Sequence, residues 1–172
     1  MKKHTVKYII VVGLATGTLL MGSFAFAAPS WATYTNKQKG FSAAYPSEWS
    51  APKEVTIGTM TLVQLGGKVL VVFGVTNPLE QKLSFDELSK KYDSYKGKSG
   101  ASPMSRTDLM VGGHPSFTLL SRSNGEIKYL STYIKNKNSK DIVQVYYASP
   151  KGALTLVDLA TYKKIVESVR FK

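Results

Sequence analysis

Short stretches of alternating apolar and polar residues run through most of the chain after residue 40. Phe41, Ala43 and Tyr45 alternate with smaller residues and stop at Pro46, which predicts a strand that ends in a turn. Further strands are predicted over residues 59–65, 69–73, 108–111, 116–122, 126–135 and 141–147. The 69–73 run is apolar at every position, which is typical of a strand inside a sheet that is covered on both faces.

Glycine-containing turns connect these strands. Asn124 and Gly125 separate two strand-like runs, and this dipeptide is a strong hairpin signal because both residues tolerate positive φ. Other turns are predicted at Gly66-Gly67, at residues 112–115 and at the polar residues 136–140. Trp49 is expected in the turn after Pro46.

Two helices are predicted, each from a capping box followed by apolar residues at helical spacing. The first box is Ser84 with Glu87, and the second is Thr155 with Asp158. The apolar face of the first helix would carry Phe85, Leu88, Tyr92 and Tyr95. The face of the second would carry Leu159, Tyr162, Ile165, Val166 and Val169, and Phe171 closes the chain.

The order of these elements is strands, helix, a meander of strands, and a final helix. Hairpins dominate the connections, so we predict an α+β fold with a mostly antiparallel sheet and helices on both faces. At 172 residues the chain has room for one domain, which we place at residues 34–172. Residues 28–33 would form a short exposed arm, in which Trp31 is the residue that can dock.

The N-terminus has the parts of a secretion signal. Its positive region contains Lys2, Lys3 and Lys7. Residues 8–26 carry no charge, and the small residues Ala25 and Ala27 predict cleavage between Ala27 and Ala28. Residues 1–27 are therefore a predicted cleaved signal peptide, and the mature chain is expected outside the cytoplasm. The alternative is an uncleaved anchor, because the uncharged stretch is almost long enough to cross a bilayer.

The predicted domain resembles the PsbP-like family over nearly all of residues 34–171, and this family is named after an extrinsic subunit of photosystem II. The matching residues at the start are Tyr34, Gly40-Phe41-Ser42, Tyr45-Pro46-Ser47 and Trp49. Those at the end are Tyr162, Ile165-Val166, Ser168-Val169 and Phe171. The resemblance implies an α/β/α sandwich and a binding or accessory role. It implies no photosynthetic role, and no metal ligand of the family has a counterpart in this sequence.

Composition adds a strong basic excess. The chain carries 23 Lys and Arg against 11 Asp and Glu, a net charge of +12, and cleavage at residue 27 would remove three lysines and leave +9. A basic domain outside the cytoplasm attracts acidic envelope polymers or anionic lipid headgroups, whereas export makes nucleic acid an unsuitable partner. The candidate contacts for such a partner are Lys135, Lys137, Lys140, Lys163 and Lys164.

Catalytic chemistry has little support in the sequence. Cysteine is absent, and His114 is the one histidine that remains after residue 27, set between Gly113 and Pro115. No metal-ligand spacing, nucleophile elbow or phosphate-binding loop occurs, so we predict no catalytic residue, no metal and no cofactor. A pair of carboxylates that meets only in the folded chain would still allow a hydrolase.

The sequence thus favours an exported, non-catalytic binding or accessory protein of the cell envelope, with an unknown protein partner. Two other hypotheses stay open. One is an electrostatic binder of an anionic wall polymer or of lipid headgroups, with peripheral membrane association. The other is a hydrolase whose site assembles only in three dimensions.

Overall fold

A computed structural model describes residues 30–57, 60–66, 70–75, 83–98, 102–149 and 152–172. The strands are β1 (Trp31–Asn36), β2 (Phe41–Pro46), β3 (Ser50–Ile57), β4 (Met60–Gly66), β5 (Leu70–Val75), β6 (Met104–Val111), β7 (His114–Ser123), β8 (Glu126–Lys135), β9 (Ile142–Ala148) and β10 (Arg170–Phe171). The helices are α1 (Phe85–Lys91) and α2 (Leu156–Glu167), and a 3-10 turn follows α1 at Asp93–Tyr95. Neither helix of this described part is long and apolar enough to cross a membrane.

Seven strands form one large sheet, and three form a smaller one. The large sheet has the order β3-β4-β5-β9-β8-β7-β6, and the small sheet has the order β1-β2-β10. All neighbouring strands are antiparallel. α1 packs on one face of the large sheet, and α2 packs with the small sheet on the other. The predicted α+β class, with helices on both faces of an antiparallel sheet, is confirmed.

The larger hydrophobic core lies between the large sheet, the small sheet and α2. α2 contributes Tyr162, Ile165 and Val166, which meet buried side chains such as Phe41 of the small sheet and Ile134 of the large sheet. Burying one large apolar side chain stabilises a fold by roughly 1.5–3 kcal/mol. The position of α2 is therefore fixed by its inward face.

A smaller core lies under α1 on the opposite face of the large sheet. Leu88 is buried there, and Phe85 packs beside it against Phe117, Tyr133 and Ile142. A helix of 7 residues is too short to be stable alone, so these contacts hold α1 in place.

Both predicted capping boxes are present. Glu87 donates its amide to Ser84 Oγ at 3.3 Å and accepts the Ser84 amide on its carboxylate at 2.7 Å. The corresponding bonds between Thr155 and Asp158 measure 3.2 and 2.8 Å. The hydroxyl and the amide of Ser84 lower the pKa of Glu87 below its ordinary value of 4.5, because both groups donate to the ionised carboxylate.

The Asn124-Gly125 hairpin is confirmed, with φ angles of 53° and 77° that suit a two-residue turn between twisted strands. The predicted interior strand over residues 69–73 corresponds to β5, which lies between β4 and β9. Gly67, the second glycine of the other predicted hairpin, lies outside the described residues.

α1 is shorter than its apolar spacing predicts. It ends at Lys91, so Tyr92 caps the helix and Tyr95 falls in the 3-10 turn. The cause is tertiary: Arg106 reaches across from β6 and donates to the carbonyl of Ser89 in the last turn of α1. That bond satisfies a carbonyl that a longer helix would have used.

The turn predicted at residues 112–115 is also shorter in the structure. Gly112 and Gly113 form it alone, with φ angles of 56° and 81°, whereas His114 and Pro115 begin β7 and pair with Val111 and Met110 of β6. Because two successive positive φ angles reverse the chain within two residues, the strand resumes at once.

Of the small sheet, only the central strand β2 was predicted from the sequence. β1 begins at Trp31, inside the segment expected to be an exposed arm. Its Tyr34 is buried in the larger core, and Trp31 and Ala32 pack against that core. β10 has two residues, Arg170 and Phe171, which pair with the start of β2. Neither strand has a sequence pattern that stands out locally.

Candidate functional site

Three turns and the last residues of the chain meet at one end of the molecule, which we call the basic end. The β1–β2 turn contacts the β8–β9 turn through Lys39 Nζ and Asp141 Oδ1, 3.9 Å apart. The amide of Lys172 donates to the carbonyl of Gly40 at 2.9 Å, which ties the last residues to the same place. The cationic residues of the basic end are Lys37, Lys39, Lys137, Lys140, Arg170 and Lys172.

His114 joins two segments of this end. Its ring packs on Phe171 with centroids 4.4 Å apart, and its Nδ1 lies 3.0 Å from the carbonyl oxygen of Lys135 and 3.2 Å from the backbone nitrogen of Lys137. These contacts give His114 a structural role. No group of three or more His, Asp or Glu side chains that is suited to a metal occurs in the described part of the chain.

The charge of the basic end is poorly compensated. Lys37, Lys137, Lys140 and Lys172 are exposed, and no ion pair to any of them is present among the described residues. The acid that lies between the turns, Asp141, is engaged with Lys39. Such an excess of one sign creates a local positive potential that attracts anions.

Arg170 has a second role at the same end. Its Nη1 donates to the carbonyl oxygens of Glu167 and Val169 at 2.7 and 2.8 Å. A cation at the end of α2 satisfies free carbonyls and complements the negative end of the helix dipole. Arg170 is therefore held by the fold, whereas the exposed lysines of the turns are available to a partner.

Lys135, one of the five predicted contacts, belongs to a different surface. Its Nζ lies 3.2 Å from the carboxylate of Asp86 and 5.7 Å from the ring centroid of Phe85. Both of these residues are on α1, so the lysine side chain is turned to the face of the sheet that α1 covers.

Lys163 and Lys164 lie on the exposed side of α2. Lys163 Nζ is 3.8 Å from the carboxylate of Glu167, one turn further on, and Lys164 Nζ is 4.2 Å from the ring centroid of Trp31. The five predicted lysines thus occupy three places: Lys137 and Lys140 at the basic end, Lys135 beside α1, and the last two on α2.

A shallow groove runs between the start of β1 and the exposed side of α2, and we call it the Trp31 groove. Its volume is about 410 Å³, and its lining residues are Trp31, Leu156, Val157, Ala160, Thr161 and Lys164. Leu156 is 84% exposed and Val157 is 75% exposed. Trp31 Nε1 is shielded from solvent and has no hydrogen-bond partner among the described residues.

Two carboxylates do meet in three dimensions, on the face covered by α1. Arg106 is buried over the ring of Phe117 and donates to Asp108 at 2.7 Å and to Asp93 at 2.9 Å, and Lys96 pairs with the same two acids at 3.3 and 2.9 Å. The hydrogen bond from Lys96 lowers the pKa of Asp93. A catalytic acid needs a raised pKa, so this arrangement has the character of a structural ion-pair network.

Most aromatic side chains of the strands serve in packing. Tyr45, Tyr133 and Tyr147 are buried. Burial raises the pKa of Tyr147, as expected for a phenol held in an apolar core. Tyr129 and Tyr146 are half-buried and pack on each other across β8 and β9, with ring centroids 5.6 Å apart.

The sequence did not place Lys37, Lys39, Arg170 and Lys172 together with the β8–β9 turn. These four cations come from two segments far apart in the sequence, which the pairing of β1 and β10 with β2 brings to the same end. This grouping could have been predicted only if β1 had been recognised as a strand, and its apolar and polar residues alternate too weakly for that. The Trp31 groove was missed for the same reason.

The fold is similar to that of a solved protein structure. The solution structure of cyanobacterial PsbP from Synechocystis is similar to this chain with a TM-score of 0.48 and 11% sequence identity, over 89% of this chain and 99% of that one. It belongs to the family that the sequence resembles, and the likeness concerns the fold alone. No protein-family profile matches the chain. No curated protein matches it.

Proposed function

We propose that this chain is an exported, non-catalytic accessory protein of the cell envelope and that its basic end binds an anionic envelope polymer. The observation that carries the proposal is the meeting of six cationic residues from two turns and the chain's last residues, with Asp141 as the acid between the turns. The N-terminal signal-like segment supports the location.

The geometry of the basic end suits a polymer better than a small ligand. Its cations lie on exposed turns rather than around a cavity, and the side chains of Lys137 and Lys140 extend into solvent from the same turn. A chain of closely spaced phosphate or carboxylate groups can contact several such cations at once. Each contact between exposed charges is weak, of the order of 1 kcal/mol or less, so affinity depends on their number.

The first test measures binding to polyphosphate, which serves as a defined polyanion. The protein is expressed from the full sequence and purified in the form that the cells produce. The apparent Kd is measured between about 50 and about 200 mM salt, because exposed charge contacts weaken over this range. K137Q/K140Q should weaken binding and flatten the salt dependence. The control K53Q/K90Q removes the same charge from exposed positions on β3 and α1 and should change binding far less.

Equal losses in both variants, or binding that ignores salt, would contradict a specific role of the basic end. Mass spectrometry of the same preparation reads the N-terminus. A first residue at Ala28 supports export with cleavage, whereas a chain that begins at Met1 and sediments with membranes favours the uncleaved anchor.

A further inference from the structure

The Trp31 groove leaves large apolar side chains in water next to one another. Leu156 and Val157 are adjacent in the first turn of α2, and Trp31 lies beside them across the groove. The other exposed large apolar residues of the described chain, Val55 and Met110, lie singly on strands. Single exposed apolar residues are common on protein surfaces, whereas contiguous ones mark a contact site.

The fold does not require Leu156 and Val157 to be apolar. The core contact of α2 is made by Tyr162, Ile165 and Val166, and the start of the helix is secured by the Thr155 capping box. Polar residues at positions 156 and 157 would satisfy the same helix geometry.

Cations border this apolar surface. Lys164 covers one face of the Trp31 ring, and Lys163 lies next to it on the exposed side of α2. If the signal is cleaved at Ala27, the new amino group at Ala28 adds a positive charge three residues before Trp31. Apolar side chains with a tryptophan and a border of lysines are the features of a surface that rests on an anionic lipid bilayer.

In the sequence, Trp31 follows closely after the signal-like segment. The uncharged stretch of residues 8–26 ends five residues before Trp31, a separation of at most roughly 17 Å in an extended chain. While that stretch is in the bilayer, the groove is held near the headgroups.

We propose that the Trp31 groove is a membrane-surface contact for anionic phospholipid bilayers. Leu156 and Val157 enter the boundary between headgroups and acyl chains, Trp31 lies at the interface, and Lys163 and Lys164 contact lipid phosphates. This inference does not depend on the basic end, which lies at the C-terminal end of α2, whereas Leu156 and Val157 lie at the other end of this helix of 12 residues, roughly 18 Å away.

Two other occupants fit the groove less well. A second copy of the chain would meet it through a two-fold interface, and this would place the lysine pairs of both copies near one another. The part of α2 that lines the groove spans about 12 Å, from residue 156 to residue 164. The chain's own uncharged stretch has 19 residues and is too long to be covered by a groove of this length.

The test is partition of the purified full chain onto vesicles of phosphatidylcholine alone and of phosphatidylcholine with phosphatidylglycerol. We expect binding to the anionic vesicles, and the L156S/V157S variant should lower the partition coefficient at least about tenfold, because two apolar side chains no longer leave water. The matched control V55S/M110S makes the same chemical change elsewhere on the surface and should bind as the parent chain does.

Tryptophan fluorescence reads the same contact directly. In W49F the remaining tryptophan is Trp31, since the chain has two and Trp49 packs on Tyr147 with ring centroids 6.3 Å apart. Anionic vesicles should shift its emission to shorter wavelength, and brominated acyl chains should quench it.

Three results would overturn the inference. One is unchanged vesicle binding by L156S/V157S. Another is binding that K137Q/K140Q abolishes while L156S/V157S does not, which would assign lipid binding to the basic end and leave the proposed function standing. The third is a dimer in light scattering that L156S/V157S dissociates, which would assign the groove to a second copy.

Discussion

The surfaces at the two ends of α2 differ in chemistry, because one is mainly apolar and the other is mainly cationic. At its N-terminal end Leu156 and Val157 lie exposed beside Trp31, in a groove lined mainly by apolar atoms. Near its C-terminal end the turns carry Lys137 and Lys140. The groove is built by one helix and one strand, whereas the basic end is built by three turns and the last residues of the chain.

The buried side of α2, unlike its exposed ends, determines the stability of the domain. Ile165 and Val166 fix α2 against both sheets, so the inward face sets stability. The exposed positions at either end make no comparable contact with the core. Their chemistry is therefore free to serve binding, and the two surfaces can be changed separately without unfolding the domain.

The largest expected effect separates the two sides of α2. Ile165→Ala removes a fully buried side chain and should lower the free energy of unfolding by about 2–5 kcal/mol. Leu156→Ser, at an 84% exposed position, should stay within about 0.5 kcal/mol of the parent chain. Urea denaturation measures both, and a large loss in Leu156→Ser would show that the groove is part of the core.

A smaller effect is expected at the start of α2. Thr155→Ala removes the hydroxyl that accepts the Asp158 amide and should cost about 1 kcal/mol. Because the first turn then frays, vesicle binding through Leu156 and Val157 should weaken while polyanion binding stays unchanged. The control Ser84→Ala breaks the equivalent box of α1 and should leave both kinds of binding intact. Parallel losses in the two binding assays would contradict the separation of the ends.

Charge removal should have a still smaller effect on stability. K137Q/K140Q relieves repulsion at the basic end and should change the free energy of unfolding by less than about 0.5 kcal/mol, in the stabilising direction. Lys163→Gln breaks the pair with Glu167 and should destabilise by about 0.3–0.5 kcal/mol. Thermal unfolding at low salt compares the two, and a clear loss of stability in K137Q/K140Q would assign those lysines to the fold.

The smallest expected effect is a pH dependence at α1. The folded-state pKa of Glu87 is lowered by Ser84, so its stabilising contribution is present above the ordinary value of 4.5 and is lost as pH falls through the folded value. The stability difference between the parent chain and Ser84→Ala should therefore shrink on acidification below about pH 4.5. A difference that stays constant down to the acid transition would contradict this assignment.

Local signals in the sequence predicted much of the large sheet and both helices. The Asn124-Gly125 hairpin and the two capping boxes depend on residues no more than three apart, so their geometry is readable without the rest of the fold. The end of α1 could not be predicted from local sequence, because it depends on Arg106 of β6, which is 15 residues after Lys91.

The candidate surfaces were predicted less well than the fold. Lys137 and Lys140 were identified from local charge, but their meeting with Lys37 and Lys39 depends on the register of β1 on β2 and on the contact with Asp141. The same sequence pattern grouped Lys135 with them, although a salt bridge to Asp86 turns it to the other face of the sheet. Such groupings depend on long-range pairing and leave no local trace.

The most direct test of the proposed function places a photo-crosslinking side chain at Asn138, between Lys137 and Lys140, in the full chain in producing cells. A matched probe at the exposed Ala51 on β3 serves as the control. We predict adducts with an anionic envelope polymer from position 138 that disappear in the K137Q/K140Q background, and few adducts from position 51. Adducts of equal yield from both positions, or adducts at 138 that survive loss of the two lysines, would contradict it.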